Sequence, residues 1–139
     1  MTAPTFIDTN ILVYAYDGHE PAKQEQAVAL LDSVVAAQGV ISTQVVAEFC
    51  NVMLTKRGVT MRPADLVMVL DAVLKPMVAH TPDAAFYGRA VALFNTHNVS
   101  FYDALIIQAA LDLGCQTLYS EDLQAGQAFG DLTVINPFA

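Results

Sequence analysis

Apolar and polar positions run along this chain in blocks whose period changes from one block to the next, and those changes predict the elements. Within "TFIDTNILVY", Phe6 and Ile7 read as a short buried strand that ends on Asp8. The following "TNILVYAY" is too uniformly apolar for its period to choose between helix and strand. From Pro21, residues Ala27, Leu30, Leu31, Val34 and Val35 recur at helical spacing, and Gly39 stops that helix. "GVIS" is a strand. Ser42 then suits the N-cap of a helix ending in Lys56 and Arg57, with Gly58 beyond, where cations complement the helix dipole. Leu66, Val69, Leu70, Val73, Leu74 and Met77 trace one further helical stripe that stops near Pro76. "VAHT" is a brief strand. Thr81 is the expected N-cap and Pro82 the first residue of a helix with Phe86, Ala90, Leu93 and Phe94 on its apolar face. Ser100 opens the last long helix and Gly114 closes it, before the strands "TLYS" and "LTVIN".

Strands alternating with helices predict an α/β fold, a three-layer α/β/α sandwich with a mainly parallel central sheet. Right-handed crossovers then bring the carboxyl ends of the strands to one edge, where such sheets bind ligands. Neither a repeat nor a Gly/Ser linker interrupts the pattern, so residues 1–139 are expected to form a single domain. No apolar run reaches the roughly 18 residues of a spanning helix. "MTAPTFID" lacks the basic start and apolar stretch of a signal peptide, and the expectation is a cytoplasmic protein with no membrane contact. Cys50 and Cys115, far apart and outside any CxxC spacing, read as small buried hydrophobes.

Charge changes the picture. Fourteen acids against six bases leave a net −8, which argues against wrapping nucleic acid by charge alone. Acids that hold metal would reduce that excess, since two divalent ions would bring the formal count to roughly −4. Several acids stand where acids are unusual. Asp8 ends an apolar strand, a place where burying a charge is expensive. Glu48 shares a helical stripe with Val45 and Val52, although a helical glutamate more often faces water. Asp103 completes the capping box Ser100-x-x-Asp103, and is also in register with Ile107 and Ala110 on the core side. Glu121 and Asp122 follow the strand "TLYS", where a solvated turn would also explain them. Each has a bland explanation alone; together Asp8, Glu48, Asp103 and Asp122 are expected over one sheet edge. Carboxylates so gathered cannot stay ionised without a cation. All-oxygen ligation selects Mg²⁺ or Mn²⁺ over Zn²⁺. His19, His80 and His97 lack metal-ligand spacing and read as surface or loop residues.

"FIDTNILVYAYD", the glutamate of "STQVVAEF", the aspartate of "SFYDALIIQAA" and "LYSEDLQAGQ…VINPF" together resemble a PIN domain, and among these the VapC-like toxins of toxin–antitoxin pairs. The resemblance spans Thr5 to Phe138. It implies a metal-dependent endoribonuclease with Asp8, Glu48, Asp103 and Asp122 in the acidic metal centre and Asn10 and Ser120 as polar supports. It also implies products with 5′-phosphate and 3′-hydroxyl ends. At the fourth motif both Glu121 and Asp122 are candidates from the residues, and the family pattern of a hydroxyl, one position, then an aspartate selects Ser120 and Asp122. Ser120 stands where many relatives carry threonine. The implied partners are RNA, a cognate antitoxin whose tail covers the acidic groove, and a second copy in a homodimer.

Lys56, Arg57 and Arg62 cluster around Gly58 and are the candidate RNA phosphate contacts, against the alternative of a solvated loop. Tyr14, Tyr16, Phe101 and Tyr102 can stack bases or pack the core. Two other functions fit part of the pattern. A haloacid-dehalogenase-like phosphatase also begins with an aspartate after its first strand, but would need D-x-D where this chain has Asp8-Thr9-Asn10. A non-catalytic PIN-like scaffold would bind RNA or protein through the same surface.

Overall fold

In the computed structural model, which describes residues 3–36 and 38–139 (of Val35 and Ala36 the backbone only), one sheet organises the chain. Its strands are β1 (Thr5–Ile7), β2 (Gly39–Ser42), β3 (Val78–His80), β4 (Thr117–Tyr119), β5 (Ala128–Phe129) and β6 (Leu132–Ile135). They lie in the order β3-β2-β1-β4-β6-β5. All neighbours run parallel except the β5–β6 pair. The register Phe6↔Val40 and Phe6↔Leu118 puts β1 at the centre of the parallel part. Phe6, Ile7, Ile41 and Leu118 are fully buried, as expected for short strands covered on both faces. The helices are α1 (Thr9–Ala15), α2 (Pro21–Ala36), α3 (Thr43–Thr55), α4 (Pro63–Val69), α5 (Ala84–Thr96) and α6 (Phe101–Asp112). α1 packs on α2 and α3, α5 packs on α6, and the whole is the expected α/β/α arrangement around a mainly parallel sheet.

The undecided segment after Asp8 is helical. Asp8 caps it, accepting the Thr9 N–H, and Ile11, Leu12 and Val13 are all buried. Capping and burial thus outweigh the modest β preference of Ile and Val. Ser42 and Ser100 cap α3 and α6 as predicted, accepting the amides of Val45 and Asp103. Gly114 closes α6 with φ +73°. The Cys115 N–H bonds to the Ala110 carbonyl and the Gly114 N–H to that of Leu111, the paired bonds of a left-handed helix stop.

Four expectations need correction. The stripe from Leu66 to Met77 is not one helix. α4 gives way to a widened π turn at Leu70–Leu74 and a 3-10 turn at Lys75–Met77. Pro76 has no N–H to offer and its ring crowds the carbonyl four residues earlier, so a regular helix cannot continue there. The cap of α5 is Asp83, which accepts the Phe86 N–H, and not Thr81; the helix starts after Pro82 because a carboxylate two residues on caps it better. Phe94 is exposed instead of core-facing. α3 ends at Thr55 with Lys56 as its C-cap, so Arg57 lies beyond the helix. The side chain of Val35, placed on the stripe of α2 from sequence, lies outside the described residues. Cys115 is buried and Cys50 half-buried, both as free thiols. No described helix is long and apolar enough to cross a membrane.

The cap assignment makes a direct expectation. Asp83→Ala should lower stability by about 1 kcal/mol, while Thr81→Ala should stay within roughly 0.5 kcal/mol of the parent. Urea midpoints decide it, and equal losses would restore Thr81 as the cap.

Candidate active site

The carboxyl ends of β1 and β4 lie side by side. The Asp8 N–H continues the ladder to the Tyr119 carbonyl at 3.0 Å. The next residue on each strand therefore meets the other, and the Ser120 hydroxyl donates to Asp8 Oδ2 at 2.7 Å. Asp8 Oδ1 accepts the Thr9 N–H at 2.8 Å. Only 6 % of Asp8 is exposed. Burial pushes its carboxyl up to about 6, partly offset by the Ser120 and Thr9 hydrogen bonds and reinforced by the charges of Glu48 and Asp122.

Around it lies a cleft of about 470 Å³ whose walls include Asp8, Glu48, Asp103, Asp122, Asn10 and Lys56. The four acids predicted for a metal centre thus share one cavity. α3 carries Glu48 into it, where its Oε1 accepts from the Thr9 hydroxyl at 2.7 Å and its Oε2 from the Gln44 amide at 3.5 Å. Asp103 enters from the first turn of α6; its backbone N–H is capped by Ser100, the half of the capping box that forms. Asp122 Oδ2 accepts from Asn10 Nδ2 at 3.0 Å. Asn10 also reaches Ser120 Oγ at 3.4 Å and accepts the Glu121 N–H at 3.1 Å, so both predicted supports sit among the acids. Glu121 does not line the cleft.

The cleft is not the largest cavity. One of about 740 Å³ lies between α1, α2, β2 and the turns at 70–77, walled by residues such as Leu31, Val40, Val73 and Met77. Its one carboxylate, Asp32, gives it no cluster of reactive groups, so chemistry favours the smaller cleft.

Does the acid set suit a divalent cation? Its donors are all hard oxygens. None of the four acids forms a salt bridge among the described residues. As arranged, though, no three Asp, Glu, His or Cys side chains among the described residues stand close enough to hold an ion. Donor chemistry fits; the ligand geometry is not assembled in advance.

The predicted phosphate contacts separate. Lys56 lines the cleft, Arg57 is exposed on the loop, and Arg62 is engaged by Asp65 at 3.0 and 3.3 Å. Of the aromatic candidates, Tyr102 is exposed and the other three are half-buried. His80 corrects the surface reading: it is buried at the end of β3, 3.6 Å from Asp112 and 4.5 Å from the Phe86 ring centroid. Thr9 and Gln44, which hold Glu48, are not among the residues expected from sequence. Gln44 had a signal, lying four residues before Glu48 on the same helix face. Thr9 had none until the strand edge brought α1 to α3.

A cleft of unpaired acids at the carboxyl edge of a parallel sheet defines a class, and the sequence family agrees. The PIN domain model matches residues 5–128, so the chain belongs to the PIN-domain family. PIN domains are generally nucleases and generally use divalent metal ions. Two solved structures share the fold. FitAcB from Neisseria gonorrhoeae is 21% identical with TM-score 0.60, over 96% of this chain and 98% of that one. FitAB bound to an IR36 DNA fragment is 23% identical with TM-score 0.63, over 97% and 96%. No curated protein is significantly similar in sequence.

The raised Asp8 carboxyl sets a pH dependence. Unfolded, the group ionises near 3.8; folded, it holds its proton to about 6. Between these values the unfolded state binds fewer protons, so this group's contribution to stability falls as pH rises and is lost above the folded value. The full difference is about 3 kcal/mol. In metal-free protein, Asp8→Asn (which keeps the helix cap) should gain stability over the parent as pH rises from 4 to 7. Thermal melts at both ends measure this. A pH-independent difference would mean that Asp8 ionises normally.

Proposed function

We propose that this chain is a metal-dependent endoribonuclease of the VapC-like branch, the toxin of a toxin–antitoxin pair, acting as one domain over residues 1–139 in the cytoplasm. One observation carries the reading: four carboxylates line a single cleft, and among the described residues none of them is in a salt bridge. Asp8 and Asp103 would be direct ligands of Mg²⁺ or Mn²⁺, Glu48 a ligand or a residue that orients water, and Asp122 a further ligand. When bound, such an ion supplies the Lewis acidity that activates water and offsets charge on phosphoryl oxygens. The chain's own residues do the rest. Ser120 and the Thr9 amide fix the Asp8 carboxylate, Thr9 and Gln44 aim Glu48, and Asn10 aims Asp122. Lys56 is the cation within reach of a phosphate in the cleft, with Arg57 beside it on the loop; Arg62 would have to leave Asp65 to join them.

The partners follow from charge and surface. The FitAB structure holds a DNA fragment; with fourteen acids against six bases, we assign any such contact here to a partner protein, the antitoxin, whose tail would supply a cation to the acid cleft. A homodimer is supported by the exposed apolar stripe Tyr87, Val91 and Phe94 at helical spacing on α5. Phe94→Asp is expected to yield monomer by sedimentation if that stripe is the interface, and an unchanged mass would remove it.

A non-catalytic scaffold is the second reading, favoured by the absence of three ready ligands among the described residues. Membership of the PIN family removes the case for a phosphatase. Purified protein incubated with total cellular RNA separates the two readings. A nuclease should cut with Mg²⁺ or Mn²⁺, stop with EDTA, and lose roughly two orders of magnitude or more in Asp8→Asn. Cutting that survives both treatments would be a contaminant's and would leave the scaffold standing.

A further inference from the structure

Glu121 and Asp122 are adjacent acids after β4, yet their side chains take opposite surroundings. Asp122 lines the cleft beside Asn10. Glu121 is held away from it. Lys23 Nζ donates to both of its carboxylate oxygens, at 3.1 and 3.0 Å, and the Tyr14 hydroxyl donates to Oε1 at 2.9 Å. Lys23 also donates to the Tyr14 oxygen at 3.3 Å, closing a ring of polar contacts among α2, α1 and the turn after β4. Its ammonium lies 4.9 Å from the Tyr14 ring centroid and 5.6 Å from that of Phe138, and the two rings meet edge-on at 5.0 Å. The Lys23 and Glu121 side chains are 34% and 25% exposed. Among the described residues, this is the only ion pair that fastens a helix to the turn carrying an acid of the cleft.

We propose that Lys23 is a positioning residue for the acid cleft: by holding Glu121 on the α1–α2 side it turns Asp122 inward and keeps Glu121 out of the ligand set. The proposal rests on reading the cleft as a cation site. It explains how one of two neighbouring acids is chosen. Residues 121–123 form a bend after β4 in which Glu121 faces α1 and α2 while Asp122 faces the cleft, so fastening the first side chain restrains the backbone that carries the second. The same turn is pinned by its amides: Glu121 N–H to Asn10 Oδ1 at 3.1 Å, and Asp122 and Leu123 N–H to Ser120 Oγ at 3.2 and 3.3 Å.

Charge and position make opposite demands, which gives a clean test. By Coulomb's law alone, Lys23→Met should tighten Mn²⁺ binding and Glu121→Gln should weaken it. If the clamp positions Asp122, both single variants and the charge-neutral double variant weaken Mn²⁺ roughly tenfold, while Lys23→Arg retains most of the affinity. Titration of free Mn²⁺ by electron paramagnetic resonance reads the affinity. Hydrogen exchange supplies a second readout: the amides of 121–123 should exchange faster in the double variant, with those of α3 unchanged. Opposite shifts in the two single variants with unaltered exchange would reduce the clamp to a charge effect. Faster exchange in α3 as well would make it a general brace of the fold, and overturn the positioning role. If the parent chain takes up no Mn²⁺, the cation reading falls, and exchange at 121–123 alone still decides the clamp.

Discussion

A carboxylate buried between two strand ends is the constraint on which this structure turns. Asp8 sits where β1 stops and α1 begins, and each of its oxygens has one committed donor: the Thr9 amide on its own chain segment and the Ser120 hydroxyl across the sheet. The first bond starts a helix; the second ties the end of β1 to the end of β4. Ser120 extends the connection further, accepting the amides of Asp122 and Leu123 and approaching Asn10. One buried hydroxyl thereby fixes the relative placement of two acids far apart in sequence. Valine there would leave the Asp8 oxygen and two amides without a partner, each costing about 1–3 kcal/mol if it stayed dry.

This arrangement opposes stability to function. Hydrogen bonds lower the cost of an ionised Asp8 without removing it, since burial remains the largest influence on the group. The fold contains cations that could have been placed beside it. Lys23 is spent on Glu121, Arg62 on Asp65 and Arg89 on Asp112, all outside the cleft. A cleft built only for stability would carry one of these inside. Lys56, which lines it, forms no salt bridge with the four acids. The uncompensated charge is the property that a diffusible cation can satisfy.

Much of this was legible in the residues. The acids announced themselves by position: Asp8 at the end of an apolar strand, Glu48 in a buried stripe, Asp103 in register with the core side of α6. The serine caps of α3 and α6 were visible because capping is local chemistry. What could not be read depended on contacts between distant segments. Nothing in "YSEDL" says that Lys23, ninety-eight positions earlier, will hold Glu121. His80 looked like a loop residue because its partners, Asp112 and Phe86, come from two other elements. The break in the stripe after α4 was partly local, since Pro76 signalled a stop, but apolar spacing alone cannot distinguish an α turn from a π turn. At the start of α5, Thr81-Pro82 satisfied a sequence rule that Asp83 satisfied better, and the two competing caps lie only two residues apart.

The strand order explains why these acids meet at all. From β1 the chain moves outward through β2 to β3, then returns to the opposite side of β1 with β4 and continues to β6. β1 is therefore the point at which the direction of winding reverses. At such a point the helices that follow neighbouring strands diverge onto opposite faces and leave a crevice over the strand ends. Asp8 occupies the floor of that crevice because it is the first residue after β1. α3, leaving β2, brings Glu48 to one side, and the turn after β4 brings Asp122 to the other. Asp103 comes from the helix that enters β4, so its register depends on where Ser100 starts α6 and not on the sheet. Two of the four acids are thus placed at strand ends, and two ride on helices that the Ser42 and Ser100 caps begin. Sheet pairing holds Asp8 and the turn of Asp122 at neighbouring strand ends, whereas the first turn of α6 is fixed by the Ser100 cap, by the Gln44 amide on the Tyr102 carbonyl at 3.3 Å and by the burial of Ala104, Leu105, Ile106 and Ile107.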